Sequence, residues 1–341
     1  MHHVIVGSGL IGSYLGCMLS ENGEQVSVVA RGSWAKRLSS AVQVSDYTGK
    51  QCRCGPLPLH DITSNTGGAP DVIWLTVKCT AVDSAIETLK LIAGPKTRIL
   101  CCQNGIGSHQ SVQAAFPHHT VLRVMVPFNV VWQEPDRLHR GSEGTLVIEQ
   151  HHDAGALQKA LQHAMLPVAV ADDIEAVQWA KLQLNLGNGV NALADIPVKA
   201  MLSERGYRRI IADLMAELLT VCAAAGRPLP KVAKLPGHWL PHLLRLPDWL
   251  FSRLASQMLA IDPNVKTSMW WDIQAGNTTE QDYLYGAVVR EGQRLGIPCP
   301  WNAAMQSLLR GAEKQRRETG RHSGFSAQAL RRQLETQINR R

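Results

Sequence analysis

Lys181 and Asn185 stand four residues apart in Trp179-Ala180-Lys181-Leu182-Gln183-Leu184-Asn185, and Asn188 follows three positions later. On a helix this spacing puts an ammonium and two amides on one face. Such groups on an otherwise apolar helix are costly to bury unless they meet partners or a ligand. Two readings stay open on this segment alone: a lysine extending to water beside helix-end caps, or a polar row for a bound molecule. A second cluster lies downstream, where Ser268-Met269-Trp270-Trp271-Asp272 precedes Asn277-Thr278-Thr279-Glu280-Gln281-Asp282. Thr279 and Asp282 have the spacing of a capping box, which predicts a helix running to Gly296 with Glu280 in its first turn. One carboxylate is enough to stabilise that start. Two carboxylates and a nearby serine point to chemistry as well.

The third candidate is at the N-terminus. Val4-Ile5-Val6 runs straight into Gly7-Ser8-Gly9-Leu10-Ile11-Gly12, followed by the apolar face Leu15, Met18 and Leu19. A buried strand, a GxGxxG turn and an amphipathic helix form the fingerprint of a dinucleotide-binding crevice. The glycines allow a tight turn and close approach of a pyrophosphate, which the helix N-terminus attracts with unpaired N–H groups. Gln25 to Val29 reads as the second strand. About 20 residues past the motif, an NAD enzyme carries an acid for the ribose 2′-hydroxyl. Here the chain reads Ala30-Arg31-Gly32-Ser33. A guanidinium grips a 2′-phosphate that an acid would repel, so Arg31 points to NADP(H). The alternative is a solvated arginine at a strand end.

These residues need elements to position them, and the chain is long enough to supply two domains. At 341 residues, 45% hydrophobic and 18% charged, it has the composition of a globular protein. It has no apolar run of 18 residues to span a membrane. The apolar start is broken by glycines and lacks a basic leader, so it reads as part of the nucleotide-binding unit, not a signal peptide. The eight cysteines form no CxxC pair, and they read as reduced thiols of a cytoplasmic protein. His2-His3, His118-His119 and His151-His152 lack the spacing of a helical metal site, so no metal is expected. Of the net charge of +7, +6 falls between Arg310 and Arg341, nine Lys/Arg against three Glu. With Phe325 as the one aromatic residue there, this tail reads as a solvated terminal helix and not a nucleic-acid arm.

Strands and helices alternate through the first half. Asp71–Val77 is a continuous apolar run of the kind buried on both faces in parallel sheets. A helix is predicted over Ala81–Leu91 and a strand over Arg98–Cys102. Two more strands, Thr120–Val126 and Thr145–Glu149, follow with a hairpin between them. Helix Ala154–Met165 and strand Val168–Val170 finish the domain. From Asp172 the periodicity is helical only, over Ile174–Asn188, Tyr207–Ala225, Trp249–Leu259, Thr279–Leu295 and Asn302–Gln315. Arg227–Pro247, with five prolines, reads as an ordered loop. The expected architecture is an α/β domain with a parallel-rich sheet over 1–171 and an all-α domain over 172–341.

In the order of its motifs the chain resembles the ketopantoate reductases (2-dehydropantoate 2-reductases). The resemblance covers nearly the whole chain. It lies in GSGLIG at Gly7–Gly12, Arg31, TVK at Thr76–Lys78, QNGIG at Gln103–Gly107, KLxxN at Lys181–Asn185, NAL at Asn191–Leu193, Ser268-Met269 and Thr279-Glu280. It implies a Rossmann-type NADP-binding domain, a helical C-terminal domain and reduction of 2-dehydropantoate to pantoate in pantothenate synthesis. Arg31 and Lys78 would face the 2′-phosphate and adenosine end of NADPH, and Asn104 would lie between nicotinamide and substrate. Lys181 would be the general acid, with Asn185, Asn191 and Ser268 holding the 2-oxo acid. Glu280 would orient the substrate hydroxyl or the cofactor ribose. An ammonium suits this task, because negative charge grows on the ketone oxygen as hydride reaches carbon.

The expected active site is a cleft between the domains, with Asn104 and Lys181 facing one another. A homodimer through the helical domain is also expected. Several positions depart from the family pattern. Lys181 to Asn191 is two residues longer than in the best-known members, so Asn188 competes with Asn191 for a substrate contact. Asn277-Thr278 stands where many members have Arg before Thr-Glu, Ala81 where Gln is frequent, and Tyr285-Gly286 where Asn-Gly is usual. Asn129, in Pro127–Val131, is a further residue that could reach the site. The alternatives are a reductase of a different 2-oxo acid and a non-catalytic NADPH-binding sensor.

Overall fold

The computed structural model describes residues 1–62, 68–231, 235–256, 263–321 and 323–340. The chain forms two compact units, Met1–Glu175 and Ala176–Arg341. In the first, the strands are β1 (His2–Val6), β2 (Gln25–Val29), β3 (Val42–Asp46), β4 (Gln51–Cys54), β5 (Val72–Leu75) and β6 (Arg98–Cys101). They continue with β7 (Val121–Met125), β8 (Val130–Gln133), β9 (Arg137–Arg140), β10 (Leu146–Glu149) and β11 (Val168–Ala171). The helices are α1 (Leu10–Glu21), α2 (Gly32–Leu38), α3 (Val82–Ile92), α4 (Ser108–Ala115) and α5 (Ala154–Leu161).

Among the described residues, seven strands form one sheet in the order β11-β10-β7-β6-β5-β1-β2. All its pairings are parallel except β7 with β10. The continuous apolar runs follow from this position. Val72 and Trp74 face one core together with Ile5, whereas Ile73 and Leu75 face the other with Val4 and Val6. Both faces of the central strands are therefore dry, as parallel sheets require. Chain order reverses beside β1, with β2 on one flank and β5 on the other, and α/β sheets bind ligands at such switch points.

A second, four-stranded sheet, β4-β3-β9-β8, was not expected. The predicted hairpin after β7 supplies β8 and β9, which pair with each other outside the main sheet, and β9 pairs with β3. Val42, Val44, Phe128, Val130 and Leu138 join Leu15 and Met18 of α1 in one core. The second sheet thus covers the outer side of the nucleotide-motif helix.

Helix α6 (Ile174–Asn185) leads into the second unit, followed by α7 (Gly187–Ala194), α8 (Val198–Ser203) and α9 (Arg205–Ala224). Then come α10 (Leu240–Leu244), α11 (Asp248–Leu254), α12 (Ser268–Gln274), α13 (Gln281–Leu295), α14 (Pro300–Thr319) and α15 (Ala327–Asn339). The chain is thus an α/β domain with a mostly parallel sheet followed by a helical domain. No helix among the described residues is long and apolar enough to cross a membrane.

Four expectations are corrected. The helix predicted to run unbroken through Asn188 ends at Asn185, because Gly187 and Gly189 weaken it and a buried tyrosine holds the joint. The proline-rich passage contains a 3-10 turn at Gly237–Trp239 and helix α10, in which Pro241 stands in the first turn, where its missing N–H is harmless. The basic tail keeps most of its charged side chains exposed but is also packed: Leu330 and Leu334 of α15 are fully buried, and Arg331 pairs with Asp213 at 3.2 Å. The predicted helix Trp249–Leu259 stops at Leu254, and residues 257–259 of it lie outside the described set, as does Arg341 of the tail. None of the eight cysteines is in a disulfide.

One buried group makes the first unit acid-sensitive. His3 is fully buried, its Nδ1 accepts from the Trp74 indole at 3.0 Å, and its Nε2 lies 3.4 Å from Glu24. Burial lowers its pKa to about 4, although Glu24 opposes the shift. The unfolded chain, near 6.5, binds this proton first, so stability is intact above pH 6.5 and declines as pH falls toward 4. The expected loss approaches ~3 kcal/mol. Urea midpoints from pH 7 to pH 4 check this, and His3→Asn should flatten the slope between pH 6.5 and 4.

Candidate active site

In the first unit, candidate residues are held by loops at the carboxyl edge of the main sheet. After β1, Gly7 has φ +103°, and a Cβ there would lie 2.5 Å from the Val77 backbone nitrogen. A Cβ on Gly12 would lie 2.3 Å from the Gly7 carbonyl oxygen. These two glycines are needed for packing within the protein. Gly9 is different: nothing lies within 4 Å of its Cβ position, and it forms the N-cap of α1 without a side-chain hydrogen bond. Leu10 and Ile11 open the helix, with no acidic residue in its first turn. Ser8 is buried, and its hydroxyl donates to the Val29 carbonyl at 3.3 Å, tying the motif to β2. The loop is thus tight where it meets the sheet and open at the helix N-terminus, which fits a dinucleotide pyrophosphate.

Arg31 is exposed at the N-cap of α2, two residues beyond β2, where no acid stands. Lys78 is exposed beyond β5, just before the 3-10 turn Cys79–Ala81. Gln103, which the sequence reading named in QNGIG without giving it a role, is buried and joins neighbouring loops. Its Nε2 donates to the carbonyls of Leu75 at 2.7 Å and Val77 at 3.2 Å. The next residue, Asn104, is half-buried, and its carbonyl accepts from the Cys79 thiol at 2.8 Å. Asn104 is therefore held at the same sheet edge as the glycine loop. Asn129 belongs to the second sheet's turn, where its N–H donates to Ser142 Oγ at 3.1 Å.

The helical unit carries its own group of candidate residues. Lys181 projects half-buried from α6. Burial pulls its pKa from the ordinary lysine value to about 8, and the Glu280 carboxylate opposes that shift. Glu280 is half-buried at the N-cap of α13, not in its first turn. The predicted capping box is replaced by another arrangement. Thr279 donates to the buried carboxylate of Glu313 at 2.6 Å, while Asp282 accepts from Gln306 and Arg310, each at 2.6 Å. The long-range partners outcompete the local cap, which leaves Glu280 to face Lys181 electrostatically.

Asn185 ends α6 and Asn188 lies in α7; both are half-buried. Asn191 is fully buried, and both ends of its amide are engaged. Its Nδ2 donates to the Ile196 carbonyl at 2.6 Å, and its Oδ1 accepts from the Thr267 N–H at 3.0 Å. Thr267 caps α12, whose first residue is the exposed Ser268. Asp195, in the left-handed region at φ 54°, reinforces this seam by accepting from the Trp270 indole at 2.6 Å and pairing with Lys266 at 3.1 Å. Asn191 thereby positions Ser268 through Thr267. Thr267 and Asp195 were not singled out from sequence, because their partners are about 70 residues away.

The histidine pair His151-His152 forms a small cluster with Asp153, the donor atoms lying within 4.8 Å of one another. Arg98 already binds that carboxylate at 2.8 Å, so the cluster reads as an ion-paired turn.

Comparison with known proteins places the chain in a family. Residues 3–153 match the family described as ketopantoate reductase PanE/ApbA, and residues 173–313 match its C-terminal domain. The chain is 24% identical over 310 residues to a 2-dehydropantoate 2-reductase of Pyrobaculum aerophilum, covering 91% of this chain and 97% of that one. A crystal structure of a PanE/ApbA family ketopantoate reductase from Ralstonia eutropha JMP134 superposes with a TM-score of 0.77 at 25% identity, covering 93% of this chain and 100% of that one. A D-mandelate dehydrogenase solved with NADH and anilino(oxo)acetate has the same fold, with a TM-score of 0.72 at 20% identity, covering 92% and 99%. With a nicotinamide-type glycine loop in one unit and a lysine–glutamate pair in the other, the chain belongs to the ketopantoate reductase family of oxidoreductases.

Proposed function

We propose that this protein reduces the ketone of a small, branched 2-oxo acid with NADPH, and that 2-dehydropantoate, giving pantoate for pantothenate synthesis, is its first substrate. The observation that carries the reading is Lys181. It is a half-buried ammonium whose pKa of about 8 keeps it protonated at neutral pH yet ready to give up its proton. NADPH held by Gly7–Gly12, Arg31 and Lys78 would supply the hydride that the carbonyl carbon takes up. Lys181 stabilises the negative charge that grows on the ketone oxygen and then donates its proton there. Glu280 holds the ammonium and orients the substrate hydroxyl or the cofactor ribose. Asn104, Asn185, Asn188 and Ser268 hold the oxo acid; Asn191 serves from behind, through Thr267. Gly7–Gly12 seat the pyrophosphate, and Arg31 and Lys78 take the 2′-phosphate end. The domains divide the work: residues 1–171 bind NADPH and add Asn104 to the substrate contacts, and residues 172–341 supply the others.

A reductase of a different 2-oxo acid is the second reading. Tyr285 favours it, because it stands where the family usually has Asn and it supports the helix joint that carries the substrate amides. A panel of 2-oxo acids followed by NADPH consumption tests both. We expect 2-dehydropantoate to give the highest kcat/KM; a straight-chain or aromatic 2-oxo acid ahead of it would establish the second reading. No turnover with any member would remove both. A homodimer through the helical unit and a cytoplasmic location complete the proposal. The exposed Trp239, Trp249 and Leu254 of that unit support the dimer, which light scattering tests directly.

A further inference from the structure

Helix α13 does more than present Glu280. Five residues on from it, Tyr285 is fully buried, and its single hydroxyl is used twice. It accepts from the Gly189 N–H at 2.7 Å and donates to the Leu186 carbonyl at 2.9 Å. Leu186 is the N-cap of α7, directly after the end of α6, and Gly189 lies in α7's first turn. The phenol therefore bonds to both sides of the joint at which the Lys181 helix stops. The fit leaves little slack: a Cβ on Gly189 would lie 2.4 Å from the phenol oxygen. On its other side the joint is held by Thr267, whose hydroxyl lies 3.3 Å from the Asn188 carbonyl.

From this geometry we infer that Tyr285 is a positioning residue for the reduction, locking the α6–α7 joint so that Lys181, Asn185 and Asn188 keep their places relative to Glu280. The inference rests on the proposed role of Lys181. Burial drives the phenol pKa upward, so the hydroxyl stays protonated and able to donate at working pH. A phenylalanine keeps the ring in its cavity but leaves the Leu186 carbonyl and the Gly189 N–H without this partner. The joint then relaxes, and water gains access to the Lys181 ammonium. The hydroxyl of Tyr285 bonds to Leu186 and Gly189 and to none of the residues proposed to meet substrate, so its effect passes through the joint.

The test is Tyr285→Phe, measured alone and in the Lys181→Ala background. Alone, kcat should fall about 10- to 100-fold, the scale of a misplaced catalytic group, while NADPH affinity is unchanged. In the Lys181→Ala background the second substitution should cost clearly less than it does alone, because only the share acting through Asn185 and Asn188 remains. Independently of turnover, the pH midpoint for labelling of the Lys181 amine, followed by mass spectrometry, should move from about 8 toward the ordinary lysine range. Gly189→Ala, which crowds the phenol from the opposite side, should reproduce both effects if Tyr285→Phe folds poorly. Unchanged kcat with an unchanged labelling midpoint overturns the inference, as does an equal loss of kcat in both backgrounds. A protein inactive on every 2-oxo acid whose labelling midpoint still moves would strike the reductase reading and leave the positioning role standing.

Discussion

Replacement of Lys181 by alanine is expected to lower kcat by about 10²-fold or more, the scale of a positioned general acid. NADPH affinity should stay nearly constant, since the ammonium acts on charge that exists mainly in the transition state. The pH dependence follows from its pKa. The proton-donating form is present below about 8, so ketone reduction should slow as pH rises through that value. Oxidation of the hydroxy acid needs the free amine and should speed up over the same range. Lys181→Ala should abolish this limb. Glu280→Gln should move it to lower pH, because the carboxylate is what raises the ammonium's pKa. It should also weaken substrate binding, since a carboxylate that fixes a hydroxyl acts in the ground state too. Stopped-flow rates of reduction and of oxidation from pH 6 to 10, taken over a range of substrate concentrations, measure each of these effects. If Lys181→Ala raises only KM, the lysine is a binding group and another donor supplies the proton.

The second large effect concerns the cofactor. NADPH should bind far better than NADH, and Arg31→Ala should weaken NADPH by roughly 10- to 100-fold, the cost of losing charge-assisted bonds to a phosphate. NADH affinity should hardly change, because its 2′-hydroxyl offers the guanidinium no charge. Fluorescence titration of both dinucleotides against both proteins gives the four constants needed. The location of Arg31 supports the expectation: it is exposed, caps the short helix after β2, and has no acid beside it in the segment 30–33. Equal affinity for the two dinucleotides in the unaltered protein would remove the argument from β2.

Much of the framework was legible in the sequence because local rules dictate it. The run into Gly7–Gly12 has one economical solution, a strand, a tight turn and a helix, and the strands Gln25–Val29 and Arg98–Cys101 lie where apolar periodicity predicts them. Continuous apolar runs such as 72–75 announce a sheet buried on both faces. The second sheet escaped notice for the opposite reason. Its strands are short and half-polar, and the pairing that joins its two hairpins, β3 with β9, spans some 90 residues, a distance that no local pattern encodes.

In the site, the residue types were determined by sequence and their environments by tertiary packing. Lysine, glutamate and asparagines in order identify the family's chemistry. That Lys181 titrates near 8 depends on what is packed around it and on a carboxylate from a helix about 100 residues away. The capping box at Thr279 is a sound local prediction that Glu313 overrides, because a buried carboxylate must find donors and Thr279 supplies two. Asn191 reads from sequence as a ligand residue, yet its amide is consumed by Ile196 and Thr267. The break between α6 and α7 was hinted at by Gly187 and Gly189, but its partner Tyr285 is supplied by another helix. Sequence determines which groups are available and the short-range turns they favour. Only the folded chain decides which of those groups are spent on buried backbone and which are left to meet a substrate.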